Sequence, residues 1–186
     1  MKPILPIVLK TPRLLLRPPV EEDAATLECY LSDRRIAETT AAIPHPYPRG
    51  GALDWVAMSD DRWAEGTAAT FVVTLRENGK ILGVISLLGK SPRDFQAGYW
   101  IAVPFWGNGY ATEALHRLVR YAFNHLGLPC LGARHFAHNP ASGRVMLKAG
   151  LHFDTVIPGG SSRDGVFYDS VQYRITAEDW RMCVAI

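Results

Sequence analysis

Two apolar runs joined by a tight turn set the strongest limit on the fold. Ala69 to Leu75 reads A-T-F-V-V-T-L and Ile81 to Leu88 reads I-L-G-V-I-S-L-L. Both are rich in β-branched residues, and Glu77-Asn78-Gly79-Lys80 between them carries the Asn-Gly pair that closes antiparallel hairpins. A third strand over Gln96 to Val103 extends the pair into a meander. The period then changes. From Tyr110 to His125, Ala111, Leu115, Leu118, Val119 and Ala122 recur at three- and four-residue spacing, so this is the clearest helix, ended by Gly127 and Pro129.

The flanking segments complete an α/β chain. Arg13 to Arg17 reads as a short first strand, and Val20 to Leu31 as a helix with Glu21, Glu22 and Asp23 in its first turn, where the helix dipole favours anions. Thr39 to Gly51 contains Pro44, Pro46 and Pro48 and reads as a loop. Leu53 to Trp63 reads as a second helix, Trp55 and Trp63 being packing residues. Leu131 to Phe136 reads as a strand. Asn139-Pro140 supplies an N-cap and first-turn proline to a helix closed by Gly150. Leu151 to Ile157 and Val166 to Ile175 read as a closing strand pair around a loop over Pro158 to Gly165. This order predicts a mixed sheet of α+β type, since no long βαβ alternation is present. The length, 186 residues without repeat or linker, suits one domain spanning 1–186.

Composition removes several function classes. Hydrophobic residues are 48% and charged residues 20%, as in an ordinary soluble protein. Twenty Lys and Arg against 18 Asp and Glu leave a formal charge of +2, too balanced for a dedicated nucleic-acid binder. Cys29, Cys130 and Cys183 are scattered, with no disulfide framework or metal spacing, so a reducing cytoplasm is expected. The apolar start, Met1 to Lys10, is short and broken by Pro6, unlike a signal peptide. No span is expected to cross or bind a membrane, and His135 and His138 lack a third ligand for a metal.

The chemistry is concentrated in Val103 to Ala114, V-P-F-W-G-N-G-Y-A-T-E-A, which joins a strand end to the best helix. Gly107 and Gly109 open backbone conformations closed to other residues. No proline removes an N–H from Phe105 to Ala111, so successive amides can converge on an anion with the helix dipole behind them. A phosphate or pyrophosphate site is the physical expectation; a ligand-free glycine turn is the alternative. A dinucleotide fingerprint fails because Thr112 replaces the third glycine. A Walker A loop fails because Gly83 is one residue too far from Gly89-Lys90-Ser91, and Pro92 follows at once.

This segment, with Gly98-Tyr99-Trp100 before it, resembles the acetyl-CoA-binding motif of the GNAT N-acetyltransferases, and within them the RimJ/RimL-like branch that acetylates N-terminal amines of ribosomal proteins. The resemblance extends over nearly the whole chain. It includes Thr11-Pro12-Arg13-Leu14, Pro44-His45-Pro46-Tyr47, Asn139-Pro140-Ala141-Ser142, Lys148-Ala149-Gly150-Leu151, Asp169-Ser170-Val171 with Tyr173, and Glu178-Asp179-Trp180. The motif Q/R-x-x-G-x-G/A falls on Trp106 to Ala111, with Trp106 in place of Gln or Arg; Leu151 stands where the family often has Phe.

The resemblance implies a twisted mixed sheet of roughly seven strands flanked by helices on both faces. It implies acetyl-CoA as cosubstrate and direct attack by a primary amine in a ternary complex. The pyrophosphate would meet Trp106, Gly107, Asn108, Gly109, Tyr110, Ala111 and Thr112. The pantetheine arm would pair with Ile101, Ala102 and Val103, the last offering its N–H to the thioester carbonyl. Asn139 would contact the arm, and Ser142 would touch the cofactor and protonate the departing thiolate. Asp169, His138 and His45 are the candidates for a base; His45 and Tyr47 lie in a loop expected, with Pro158 to Gly165, to frame the acceptor. Glu113 is expected to complement the helix dipole. The acceptor reads as a peptide or protein α-amine; a small-molecule amine (antibiotic, polyamine or amino acid) and a CoA-binding domain without turnover are the alternatives. No nucleic-acid or membrane partner and no metal is expected, and the chain is expected to be a monomer or homodimer.

Overall fold

A computed structural model describes residues 7–184; residues 1–6 and 185–186, and the side chains of Cys183 and Val184, lie outside it. The chain enters through β1 (Leu9–Lys10) and β2 (Leu14–Arg17), then α1 (Ala24–Leu31), α2 (Arg34–Glu38) and α3 (Gly51–Glu65). The meander follows as β3 (Ala68–Leu75), β4 (Ile81–Leu88) and β5 (Gln96–Ile101). Then come α4 (Tyr110–Asn124), β6 (Cys130–Phe136), α5 (Pro140–Lys148), β7 (His152–Arg163), β8 (Val166–Thr176) and α6 (Ala177–Val184). The strands form one sheet in the order β1-β2-β3-β4-β5-β6-β8-β7. Every neighbouring pair is antiparallel except β5 and β6.

The unbroken apolar runs of β3 and β4 are explained by burial on both faces. Phe71 and Val73 join a core with Leu115, Leu118, Val119 and Ala122 of α4, whereas Val72 and Val84 face Leu27, Leu31, Ile36 and Ala52 of α1, α2 and α3. Trp63 is 2% exposed, donates its indole N–H to Thr70 O and packs edge-on against Phe71. The acidic turn before α1 has a further use. Asp23 is buried, pairs with Arg17 at 2.6 Å and accepts the Val20 N–H, so it locks the helix entry onto β2.

Two local expectations are corrected, and two helices are added where none was read. The sheet has eight strands because the two-residue β1 pairs with β2. The five-residue α2 has too little apolar periodicity to be read; it starts where Asp33 caps the Arg35 N–H and pairs with the Arg35 guanidinium. The glutamate, aspartate and tryptophan at 178–180 stand in a terminal helix, α6, which begins at a reciprocal cap: Thr176 Oγ1 accepts the Asp179 N–H and the Asp179 carboxylate accepts the Thr176 N–H. The loop expected over Pro158 to Gly165 is mostly strand. Ile157 pairs with Ser170 and Ser161 with Tyr168, so Pro158, Gly159 and Gly160 bulge opposite Asp169 alone. The carboxylate of Asp169 accepts the Gly159 N–H at 3.0 Å and holds that bulge. The turn itself is only Asp164-Gly165, both at positive φ.

Candidate functional site

The single parallel contact in the sheet is short. β5 and β6 pair only at Gln96–Gly132 and Ala97–Ala133, whereas β4 stays on β5 as far as Ile101 and β8 stays on β6 as far as Phe136. Beyond Ala97 the two central strands therefore separate, leaving a gap in the sheet. Backbone groups alternate across a strand. Ala102 donates its N–H to Leu82 O on the β4 side, which puts the polar groups of Tyr99 and Ile101 on the gap side. The Ala102 amide is thus spent on β4, and the Ile101 carbonyl accepts the Trp106 indole N–H at 2.6 Å. The Val103 amide finds no acceptor among the described residues.

At the end of the gap, the glycine turn separates its polar groups by kind. Gly107 and Gly109 both sit at φ +77°, the left-handed region that favours glycine. The Asn108 side-chain amide donates to Phe105 O and Trp106 O, Arg13 donates to Asn108 O, and the Glu113 N–H bonds Gly109 O. The carbonyls are thus held from within. The six amides from Gly107 to Thr112 find no acceptor among the described residues. A row of free donors on the first turn of a fifteen-residue helix fits an anion such as a diphosphate. Trp106 braces β5 through its ring, and Asn108 shapes the loop through its side chain.

The sequence reading missed what anchors this loop. Glu113 accepts from Thr11 Oγ1 at 2.6 Å, from the Arg13 amide at 2.9 Å and from Arg13 Nε at 2.6 Å. The Arg13 guanidinium also lies 4.7 Å over the Tyr110 ring. Glu113 thus ties α4 to the start of β2, beyond complementing the dipole. Burial pushes its carboxyl up, but the bonds from Thr11 and Arg13 outweigh this and hold it below its ordinary 4.5. A depressed carboxyl contributes stability above its unfolded value and loses it as pH falls through the folded one. The melting temperature of wild type should exceed that of Glu113→Gln at neutral pH. The gap should close as pH drops below about 4.5; an unchanged gap at pH 3 would refute the ion pair's role.

Asn139 and Ser142 meet at the start of α5. Asn139 Oδ1 accepts the Ser142 N–H at 3.3 Å, so the capping role holds, and its Nδ2 reaches Thr39 O at 3.4 Å. Ser142 Oγ lies 2.8 Å from Tyr99 Oη, which is also 3.0 Å from Ser142 O. Close by, the His135 ring faces Phe136 O through Nδ1, so that nitrogen carries the proton, and the buried Nε2 has no partner among the described residues. Gly143 makes this packing feasible. A methyl there would sit 2.7 Å from His135 Nε2 and 2.8 Å from Tyr173 Oη. Overpacking should outweigh the helix propensity of alanine, so Gly143→Ala should lower stability by about 1–2 kcal/mol in denaturant titrations.

Two of the three candidate bases have other partners. His138 Nε2 donates to Glu38 O at 3.2 Å, and the ring stacks on Phe136 and meets Tyr168 edge-on. Asp169 braces the β7 bulge. His45 is exposed in its loop, while Tyr47 is partly buried and packs against the core beneath α1, α2 and α3. Among the described residues no three His, Cys, Asp or Glu side chains are grouped to hold a metal. No helix among them is long and apolar enough to cross a membrane.

The comparisons with known proteins agree with this geometry. Residues 13–152 match the model of the acetyltransferase (GNAT) domain. An uncharacterized N-acetyltransferase of Bacillus subtilis, YoaA, is 29% identical over 173 residues, covering 90% of this chain and 96% of that one. Mycobacterium smegmatis RimJ in complex with CoA-disulfide superposes with a TM-score of 0.85 at 21% identity, over 100% of this chain and 97% of that one. Spermidine N-acetyltransferase from Vibrio cholerae, in complex with CoA and spermine, gives 0.79 at 18% identity, over 92% and 99%. With the family model spanning most of the chain and the split sheet ending in a row of free amides, the chain belongs to the GNAT acetyltransferases, with RimJ among its neighbours in fold.

Proposed function

We propose that the chain acetylates the α-amine of a protein or peptide with acetyl-CoA as donor. The six free amides from Gly107 to Thr112 carry the donor half of this reading, since they suit the diphosphate of CoA. The gap side of Tyr99 and Ile101 would take the pantetheine amides as an added strand, and the free Val103 N–H would meet the thioester oxygen as charge develops. The amine lone pair attacks the thioester carbon, and the C–S bond breaks as the carbonyl re-forms. The proton lost by nitrogen balances the one gained by sulfur, and the Ser142 hydroxyl would hand it over.

The acceptor half rests on proton cost. Presenting a neutral lysine amine at pH 7 costs roughly 4.6 kcal/mol, an α-amine about 1 kcal/mol. Nε2 of His138 and Oδ1 of Asp169 are both engaged with backbone groups, so either residue would have to act as base through its other atom, Nδ1 or Oδ2. An amine that needs little help is favoured, in keeping with the resemblance to the RimJ/RimL-like branch.

Thiol release from acetyl-CoA should be measured with three acceptors: a peptide with a free N-terminus and no lysine, the N-terminally blocked peptide containing lysine, and spermidine. Release with the first alone is expected. Release with spermidine alone would move the acceptor to small amines. CoA binding without release for any acceptor would make the chain a non-catalytic CoA binder.

A further inference from the structure

We infer that Tyr99 is a positioning residue that decides where the Ser142 hydroxyl points its proton. The inference rests on the proposed role of Ser142 toward the leaving sulfur. Tyr99 carries one phenolic proton and stands within reach of two acceptors, Ser142 O at 3.0 Å and Ser142 Oγ at 2.8 Å. A carbonyl only accepts. If Tyr99 donates to that carbonyl, Ser142 must donate to Tyr99, and its proton is turned into the protein. If Tyr99 donates to Oγ, the Ser142 proton is free to face the gap. The two arrangements differ by rotation of two hydroxyl hydrogens, with every heavy atom in place. Ser142 O is not stranded by the second one, because a carbonyl in the first turn of α5 also accepts the helical N–H of Met146.

The developing thiolate favours the outward arrangement. Ser142 then donates to sulfur while accepting from Tyr99, and each bond polarises the other. Tyr99 keeps its own proton throughout. Burial pushes its phenol well above the usual tyrosine range, far above a thiol, so a net transfer from Tyr99 to sulfur would run uphill. The sulfur's proton therefore comes from the attacking nitrogen, with the Ser142 hydroxyl as the link. Tyr99 lies on β5 beyond its last pair with β6, and its Oη meets the first turn of α5, 43 residues further along the chain.

The test is a double-mutant cycle of Tyr99→Phe and Ser142→Ala, read as kcat and as KM for acetyl-CoA, with melting temperatures as a folding control. Tyr99→Phe should lower kcat about tenfold, the effect of one net hydrogen bond, with KM within about twofold. Added to Ser142→Ala it should lower kcat no further, because Tyr99 acts only through that hydroxyl. An unchanged kcat in Tyr99→Phe beside a slow Ser142→Ala would overturn this inference and leave the role of Ser142 standing. An equal tenfold loss in both backgrounds would also overturn it. Full activity in Ser142→Ala would remove the proposed role of Ser142 and this inference with it.

Discussion

Replacing Gly109 by valine is expected to cost at least a hundredfold in acetyl-CoA affinity. Gly109 holds φ +77° and caps α4, so its conformation aims the amides on both sides of it. A β-branched residue there must leave the left-handed region or bear strain of about 1–2 kcal/mol. When it leaves, the donors of Gly109 and Tyr110 swing off a common centre. Two charge-assisted hydrogen bonds, each worth about 1.5–3 kcal/mol, correspond to a loss of two or more orders of magnitude. Gly107→Ala is the matched control. It shares φ +77°, but alanine bears the left-handed region at about 1 kcal/mol without the extra crowding of a β-branched side chain, so a loss of about tenfold or less is expected. Calorimetric titration of both variants with acetyl-CoA checks this. Affinity within threefold of wild type for Gly109→Val would show that the diphosphate binds elsewhere.

What could be read in advance follows the range of the forces concerned. The β3–β4 hairpin and α4 are written in local periods, and their ends in local turn residues, so both were legible within two residues. The glycine turn was legible because only glycine satisfies its backbone there. Its electrostatic polarity was not. The carbonyls are occupied by the Asn108 side chain, Arg13 and the Glu113 N–H, and Arg13 lies 95 residues from Asn108 in the chain. Such a pairing leaves no trace in spacing. The same holds for Tyr99 with Ser142. The Pro158 to Gly165 error has the opposite origin. Proline and two glycines have loop composition, but the hairpin ladder continues past them because Asp169 absorbs the bulge. Tertiary pairing there overrides the local signal.

Arg13→Ala is expected to damage both the fold and the donor site, and the two losses should be separable. Arg13 supplies Glu113 with a side-chain ion pair at 2.6 Å and Asn108 O with a donor at 3.1 Å. Its side chain is about half exposed, but that of Glu113 is only 17% exposed, so the alanine variant leaves a largely covered carboxylate with Thr11 and one amide as its remaining partners. Stranding a charge in a fully buried pair costs about 3–5 kcal/mol; solvent at the arginine end reduces this to about 2 kcal/mol. The second loss is local. With its carbonyl released, the Asn108 peptide can rotate, and its Asn108–Gly109 plane carries one of the six donors. KM for acetyl-CoA should rise about tenfold while kcat at saturating donor holds within about twofold, the mark of an interaction serving ground state and transition state alike. Arg13→Ala,Glu113→Ala removes the stranded charge and should recover most of the stability but none of the KM. Recovery of both together would mean that Arg13 serves the fold alone and that the loop keeps its polarity without it.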